Sequence, residues 1–162
     1  MHKNATPFGH ERDQQYMKHA VQYAHKAYEQ DEVPIGALVV DRDGAIIGRG
    51  YNRVEALSSQ TAHAEIRAIV AATKKRNDWR LDGCWLYVTL EPCTMCMGLI
   101  TLSRLEGVVF GAPSPLFGYR LDKDADNWIY RKDAVQIIEG ICAVQAAELL
   151  KKFFQKQRKR RG

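Results

Sequence analysis

The chain has no apolar stretch long enough to cross a membrane, and it has few of the cysteines that stabilise small extracellular domains through disulfides. No segment of its 162 residues approaches the run of about 20 apolar residues that a membrane span needs, and residues 1–7 lack the apolar core of a signal peptide. Its four cysteines fit a reducing compartment better than a disulfide framework. We therefore expect a cytoplasmic protein with no membrane partner.

The sequence also has no internal repeat and no low-complexity linker before its last residues. With 162 residues, of which 46% are hydrophobic, the chain is long enough for one sizeable core and too short for two comfortable domains. We expect a single domain over residues 1–162, in which residues 151–162 form a basic helix end or tail.

Alternating helical and strand patterns predict the fold. Apolar residues at helical spacing predict four helices, over residues 12–29, 63–76, 94–104 and from about 142 onward. Short apolar runs predict five strands, over residues 34–40, 45–48, 85–90, 108–110 and 135–138. An Asp-Gly hairpin signal joins the first two strands, residues 48–53 are expected to form a loop, and Val70 is expected to face the core. This order predicts an α/β fold, a three-layer α/β/α sandwich around a five-stranded mixed sheet.

The most informative motif is His63-Ala64-Glu65, followed later by Pro92-Cys93-Thr94-Met95-Cys96. Imidazole and thiolate are ligands that zinc prefers, and a catalytic zinc site uses three protein ligands and leaves the fourth position open. His63, Cys93 and Cys96 supply that number. Cysteines at a helix start are favoured as thiolates by the unpaired N–H groups there. The combined pattern is the known signature of zinc-dependent nucleobase deaminases, and it predicts one Zn²⁺ per subunit.

Glu65 is the candidate catalytic residue. A carboxylate beside the metal can take a proton from the attacking water, pass it to a ring nitrogen of the base and later protonate the departing ammonia. A Cys-x-x-Cys pair alone is also typical of redox sites and structural zinc sites. A structural site needs a fourth ligand, but Cys84 and Cys142 fall in apolar patterns that are typical of core positions.

The basic residues are concentrated at the C-terminus. Residues 151–162 carry seven of the 24 basic residues and no acidic one, which leaves 17 basic and 19 acidic residues in the rest of the chain. Such a cluster favours RNA through salt-dependent contacts with phosphates, and Arg158 is a candidate for them. Phe153 is a candidate for stacking on a base. The alternatives are a solvated helix end for the cations and a core position for Phe153.

Several runs resemble the bacterial tRNA-specific adenosine deaminases of the cytidine deaminase-like superfamily, and the resemblance covers nearly the whole chain. These runs are residues 32–37, 61–66, 86–96 and 108–112. The resemblance implies a cytidine deaminase-like fold and a homodimer that converts adenosine to inosine at the wobble position of a tRNA anticodon. It also implies that apolar residues near 97–102 face the neighbouring subunit. The substrate-binding residues that it implies are Asn52 against the base, with Pro34, Ile35, Ala64 and Leu90 around it.

The chain departs from this family after Gly111-Ala112. Residues 113–120 replace a small polar segment, and the polar residues 121–132 that follow include Trp128 and Tyr130, which suit either a nucleotide or a partner subunit. Because related deaminases choose their substrates in this region, a deaminase of a free nucleobase or nucleoside (guanine, cytosine or adenosine) stays open. An RNA-binding subunit with structural zinc is a third reading, against which Glu65 argues. Glu91, beside Pro92, is expected to be structural.

Overall fold

The computed structural model describes residues 5–121 and 135–162, so Trp128 and Tyr130 lie outside the described residues. Five helices and five strands are present in these ranges. In chain order they are α1 (His10–Glu29), β1 (Gly36–Val40), β2 (Ile46–Tyr51), α2 (Val54–Leu57), α3 (Ala64–Arg76), β3 (Trp85–Leu90), α4 (Thr94–Leu102), β4 (Gly107–Ala112), β5 (Gln136–Glu139) and α5 (Ala143–Arg161), with a short 3₁₀ turn at Tyr119–Leu121.

All five strands form one mixed sheet in the order β2-β1-β3-β4-β5. Strand β1 is antiparallel to β2 and β3, whereas β3, β4 and β5 are parallel. Because Ala37 near the start of β1 pairs with Val88 near the end of β3, the start of β1 and the ends of β3, β4 and β5 lie at the same edge of the sheet. We call this the ligand edge.

Helices cover both faces of the sheet. On one face α3 and α4 bury Ala68, Ile69 and Ile100 against Leu86 and Val108. On the other face α1 buries Met17 and Ala20 with Leu38 and Tyr87, and α5 packs beside it over β4. The structure therefore confirms the predicted three-layer sandwich around a five-stranded mixed sheet. Among the residues described, no helix is both long and apolar enough to cross a membrane.

The structure corrects three local expectations. Residues 48–51, predicted as a loop, continue β2 as far as Tyr51. Val70, predicted to face the core, is 43% exposed, and Ala68 and Ala72 take the core positions on α3. Cys142 is not on the apolar stripe of the last helix, because it precedes α5 with a left-handed backbone (φ 56°) and is half-buried. Cys84 is fully buried, as expected of a core cysteine.

Two glycines explain why β2 extends into the predicted loop. Gly48 and Gly50 face α3 directly, and a Cβ on Gly48 would clash with the carbonyl oxygen of Ala68. A Cβ on Gly50 would lie 2.6 Å from the carbonyl oxygen of Ala64, closer than van der Waals contact allows. The two glycines therefore allow α3 and β2 to pack closely, and they do not mark a turn.

We predict that Gly48→Ala destabilises the protein by about 2 kcal/mol or more, because the new methyl group meets helix backbone that can move only as a unit. Denaturant unfolding with a two-state fit measures the change. The control is Arg49→Ala, which alters an exposed side chain of the same strand and should change stability by no more than about 0.5 kcal/mol. Equal unfolding midpoints for wild type and Gly48→Ala would contradict the close packing.

Candidate active site

Two helix starts carry the three predicted metal ligands. After β3 the chain passes through Pro92, and Cys93 stands immediately before α4 with extended backbone. His63 occupies the same position before α3. A polar side chain at this position commonly caps its own helix, but His63 and Cys93 do not. Both side chains are thus free to approach each other, and Cys96 joins them from the first turn of α4.

The three ligand atoms have the spacing of a tetrahedral zinc site. His63 Nδ1 lies 3.7 Å from Cys93 Sγ and 3.5 Å from Cys96 Sγ, and all three atoms lie within 4.8 Å of one another. Zinc–sulfur bonds of about 2.3 Å and zinc–nitrogen bonds of about 2.1 Å at tetrahedral angles separate sulfur from nitrogen by about 3.6 Å. His63 Nε2 lies 3.4 Å from Gln60 Oε1, which leaves the Nδ1 lone pair for a metal. The donor set therefore fits one zinc ion with a fourth position open.

The two cysteines hold their protons unequally. A hydrogen bond with Cys96 is the largest cause that lowers the pKa of Cys93 to about 4, and His63 acts in the same direction. The pKa of Cys96 is raised, first by its hydrogen bond to Cys93 and then by burial. The two thiols therefore differ in how readily they become thiolates. Because zinc binds both sulfurs as thiolates, zinc binding at this site is coupled to the release of protons.

Glu65 lies in the first turn of α3 and is 4% exposed. Within the described ranges its Oε2 atom has no hydrogen-bond partner. Burial raises the pKa of Glu65 to about 7, while the charge of His63 and a hydrogen bond with Cys96 oppose that rise. A buried carboxyl next to the ligands with an oxygen left unbonded is free to exchange a proton with a bound molecule.

The substrate residues implied by the resemblance lie mainly at the ligand edge. Asn52 directly follows β2, and its backbone N–H donates to the Ile35 carbonyl oxygen at 3.1 Å. Asn52 is 5% exposed, and its side-chain amide makes no hydrogen bond to the part of the chain that the structure describes. Leu90, at the end of β3, is half-buried, and Ala64, at the start of α3, is fully buried. Pro34 is buried in the loop before β1.

The structure contradicts the stacking role of Phe153. Its ring is 5% exposed and packs edge-on against Tyr28 of α1, with ring centroids 6.4 Å apart. Its neighbour Phe154 is 46% exposed and is the aromatic residue of the basic run that a ligand can reach. Arg158 is exposed on the last turn of α5. Neighbouring residues on a helix point in different directions, so Phe153 faces the core while Phe154 faces solvent. The many basic residues around this pair hide that difference in the sequence.

Glu91 is directed at the segment that departs from the family pattern. It is 5% exposed, and its Oε2 atom accepts a hydrogen bond from the backbone N–H of Arg120 at 3.4 Å. A Cβ on Gly118 would clash with the same carboxylate, and the N–H of Tyr119 donates to the Pro92 carbonyl oxygen. These contacts fit the structural role expected of Glu91, since they hold residues 118–120 beside the short loop of Glu91 and Pro92 that leads to Cys93.

The apolar residues of α4 divide between the core and the surface. Met97 and Ile100, expected near a subunit interface, are buried in the protein's own core. Leu102 is 70% exposed and Met95 is 42% exposed. Seven residues correspond to about two helical turns, so these two side chains share one face of α4. The expected apolar surface therefore consists of Met95 and Leu102 instead of Met97 and Ile100.

Two carboxylates near the ligand edge were not predicted from the sequence. Asp31 pairs with Lys156 and Arg160 of α5, and Glu32 is buried among backbone N–H groups of residues 55 and 56. Glu32 begins the resembling run 32–37, but an acidic pair before a strand is too common a pattern to assign either residue a role.

Comparison with known proteins agrees with this chemistry. Residues 10–112 match the cytidine and deoxycytidylate deaminase zinc-binding region. The chain is 41% identical, over 92% of both proteins, to the tRNA-specific adenosine deaminase of Bacillus subtilis. A solved structure from studies of A-to-I editing by tRNA:A34 deaminases has a TM-score of 0.76 and 37% identity, covering 83% of this chain and 98% of that one.

A guanine deaminase from Nitrosomonas europaea has a TM-score of 0.77 but 26% identity, covering 92% of this chain and 85% of that one. The backbone alone therefore does not separate enzymes of tRNA from enzymes of free bases, whereas the curated relatives that match over nearly the whole chain are tRNA-specific adenosine deaminases. The chain belongs to the cytidine and deoxycytidylate deaminase family of zinc-binding proteins, on the branch of the tRNA-specific adenosine deaminases.

Proposed function

We propose that this protein hydrolyses adenosine to inosine at the wobble position of a tRNA anticodon. The observation that carries the proposal is a three-ligand cluster that could hold zinc beside the buried Glu65 carboxylate, whose Oε2 atom has no hydrogen-bond partner among the described residues. The substrate class follows from the relative in Bacillus subtilis, which matches over nearly its whole length. We further propose that residues 1–162 act as one domain, because both helical layers pack on the same sheet.

The reaction needs a water molecule and two proton transfers. Zinc, when bound to His63, Cys93 and Cys96, lowers the pKa of water enough for hydroxide to be available at neutral pH. Glu65 accepts the proton of the water that attacks C6 of adenine and delivers it to the ring nitrogen N1. Glu65 then takes the remaining proton from the new hydroxyl group on C6 and passes it to the amino group, so that the C6–N bond breaks and C6 becomes a carbonyl. Ammonia leaves, and the base becomes hypoxanthine, the base of inosine.

The remaining residues of the edge orient the base and exclude water from it. The side-chain amide of Asn52 offers both a donor and an acceptor, which suits the edge of a purine. Ile35 and Leu90 are half-buried apolar side chains at the same edge, whereas Ala64 is fully buried. An anticodon loop presents an unpaired base, so the base enters such a pocket at a low cost in unstacking.

Basic residues at the C-terminus support an RNA substrate. Helix α5 continues to Arg161 and carries the cluster as an ordered helix. Lys152, Lys156, Lys159 and Arg160 line an open depression together with Tyr28. Phosphates of an anticodon stem-loop would neutralise these cations. We propose that the enzyme acts in the cytoplasm, where its tRNA substrate is found.

We also propose a homodimer. Leu102 and Met95 form an exposed apolar stripe on α4, the helix whose first turn carries Cys96. Burying such a stripe against a second copy removes apolar surface from water. Sedimentation of the zinc-loaded protein tests the state, and a monomer at micromolar concentration would contradict it.

The deciding experiment measures inosine formation by the zinc-loaded protein on an anticodon stem-loop with adenosine at the wobble position. Free adenosine, guanine and cytosine are assayed in parallel. We expect turnover of the stem-loop alone. Turnover of a free base without turnover of the stem-loop would overturn the tRNA assignment in favour of a small-molecule deaminase, and no turnover of any substrate would favour a binding protein.

We predict that Glu65→Gln lowers kcat by about a hundredfold or more, because the amide cannot transfer the protons. The same variant should retain one zinc ion per chain, measured by atomic absorption. Cys93→Ser is the contrasting variant and should lose zinc together with activity. Loss of zinc from Glu65→Gln would mean that Glu65 is a ligand.

We predict that the triple variant Arg158→Gln, Lys159→Gln and Arg161→Gln weakens stem-loop binding and reduces its salt dependence. Each phosphate contact removed should lower the slope of log Kd against log salt by about 0.7 to 0.9. The three substitutions keep the helix length and leave the ion pairs with Asp31 intact, and deletion of residues 156–162 gives the larger effect. An unchanged affinity and slope in both variants would refute a role of the C-terminus in RNA binding.

A further inference from the structure

Asp31 and Glu32, two consecutive carboxylates in the loop between α1 and β1, contact different parts of the protein. Asp31 has a left-handed backbone (φ 58°), and its side chain is directed toward α5. Glu32 is 1% exposed, and its side chain contacts the segment after Asn52. The same loop continues into Pro34 and Ile35 of the proposed pocket wall.

Asp31 ties the basic helix to this loop. One oxygen, Oδ1, accepts hydrogen bonds from Lys156 Nζ at 3.1 Å and from Arg160 Nη1 at 3.0 Å. The Lys156 ammonium also lies 5.3 Å from the ring centre of Tyr28. The hydrogen bond with Lys156 is the largest cause that holds the pKa of Asp31 below its usual value. Two cations therefore converge on one exposed carboxylate.

Glu32 ties the loop to the turn that follows Asn52. Its Oε1 atom accepts the backbone N–H of Glu55 at 2.8 Å and of Ala56 at 3.1 Å. These residues belong to α2, a single turn of four residues with none buried. Because α2 has no buried side chain of its own, these charge-assisted hydrogen bonds are its main attachment to the α1–β1 loop.

Asn52 is consequently held on both sides by one loop. On its N-terminal side, its backbone N–H donates to the Ile35 carbonyl oxygen. On its C-terminal side, the segment leads into α2, which Glu32 holds. A displacement of residues 31–35 would therefore move Asn52 together with Ile35.

We propose that Asp31 and Glu32 form a carboxylate bridge through which helix α5 sets the position of the substrate pocket, with Glu32 as a positioning residue for Asn52. This inference rests on the proposed function, in which Asn52 orients the base. The bridge gives Lys156 and Arg160 a task in turnover that is separate from binding phosphates.

The variant Asp31→Asn separates these two tasks, because it breaks the ion pairs and leaves every cation of α5 in place. If Asp31 only neutralises the basic helix, its loss should lower KM for the stem-loop and leave kcat unchanged. The bridge instead predicts that kcat falls by about two- to fivefold, the range for an exposed ion pair, without a rise in KM. An unchanged kcat would overturn the proposal.

The control is Asp78→Asn. Asp78 is likewise an exposed partner of an arginine, Arg80 at 3.2 Å, but it follows α3 at the opposite end of that helix from His63. Its substitution should leave kcat and KM unchanged. An equal fall in kcat for both variants would show a general charge effect and would overturn the bridge.

Amide hydrogen exchange of Glu55 and Ala56 tests the bridge without RNA. Glu32→Gln should speed exchange at both positions by about tenfold through loss of the charged acceptor, and Asp31→Asn should speed it by about two- to fivefold. Asp78→Asn should not change it. A wild-type rate in Asp31→Asn would overturn the bridge. If the wild type does not deaminate the stem-loop, the proposed function fails and the exchange rates still decide the bridge.

The kinetic test of Glu32 uses two substitutions. Glu32→Gln keeps one acceptor oxygen, so it should retain more of kcat than Glu32→Ala does, with the zinc content of both equal to wild type. Equal kcat values in wild type and Glu32→Ala would overturn its role as a positioning residue.

Discussion

The approach of the His63 imidazole to two cysteine sulfurs is the contact on which the site depends, and the sheet makes it possible. Strand β3 runs parallel to β4 and antiparallel to β1, so the end of β3 and the start of β1 share one edge. Cys93 follows the former and Pro34 precedes the latter. Since α3 starts beside the same edge, metal ligands, pocket wall and Asn52 meet there without any long connecting loop.

The two helical layers divide the work of the protein. Helices α3 and α4 lie on one face beside the three ligands, whereas α1 and α5 lie on the other, and α5 carries the basic cluster that we propose binds RNA. The loop after α1 passes around the end of the sheet between the two layers, and in this loop Asp31 accepts a hydrogen bond from Lys156 of α5. A short segment that belongs to neither helical layer thus contacts both the basic helix and the turn after Asn52.

Residue chemistry determined what the sequence predicted well. The ligands were predictable because few residue types bind zinc and because the spacing within each of the two motifs is short. Strand β3 (Trp85–Leu90) was predicted to the residue because its run is almost entirely apolar. Contacts made by backbone or at long range were not predictable. Gly48 resembles a turn residue until α3 is seen against it, and the pair of Asp31 with Lys156 spans 125 positions. Of the two alternatives for Phe153, the core position is confirmed and the stacking role is wrong.

The bare backbone of β2 under α3 limits how the protein can move. Because Gly48 and Gly50 have no side chain, the backbone of β2 packs directly against α3 and leaves little space for either element to shift. His63 and Glu65, at the start of α3, are therefore attached to a tightly packed helix and strand. Any movement that admits the substrate must therefore come from elements other than α3 and β2.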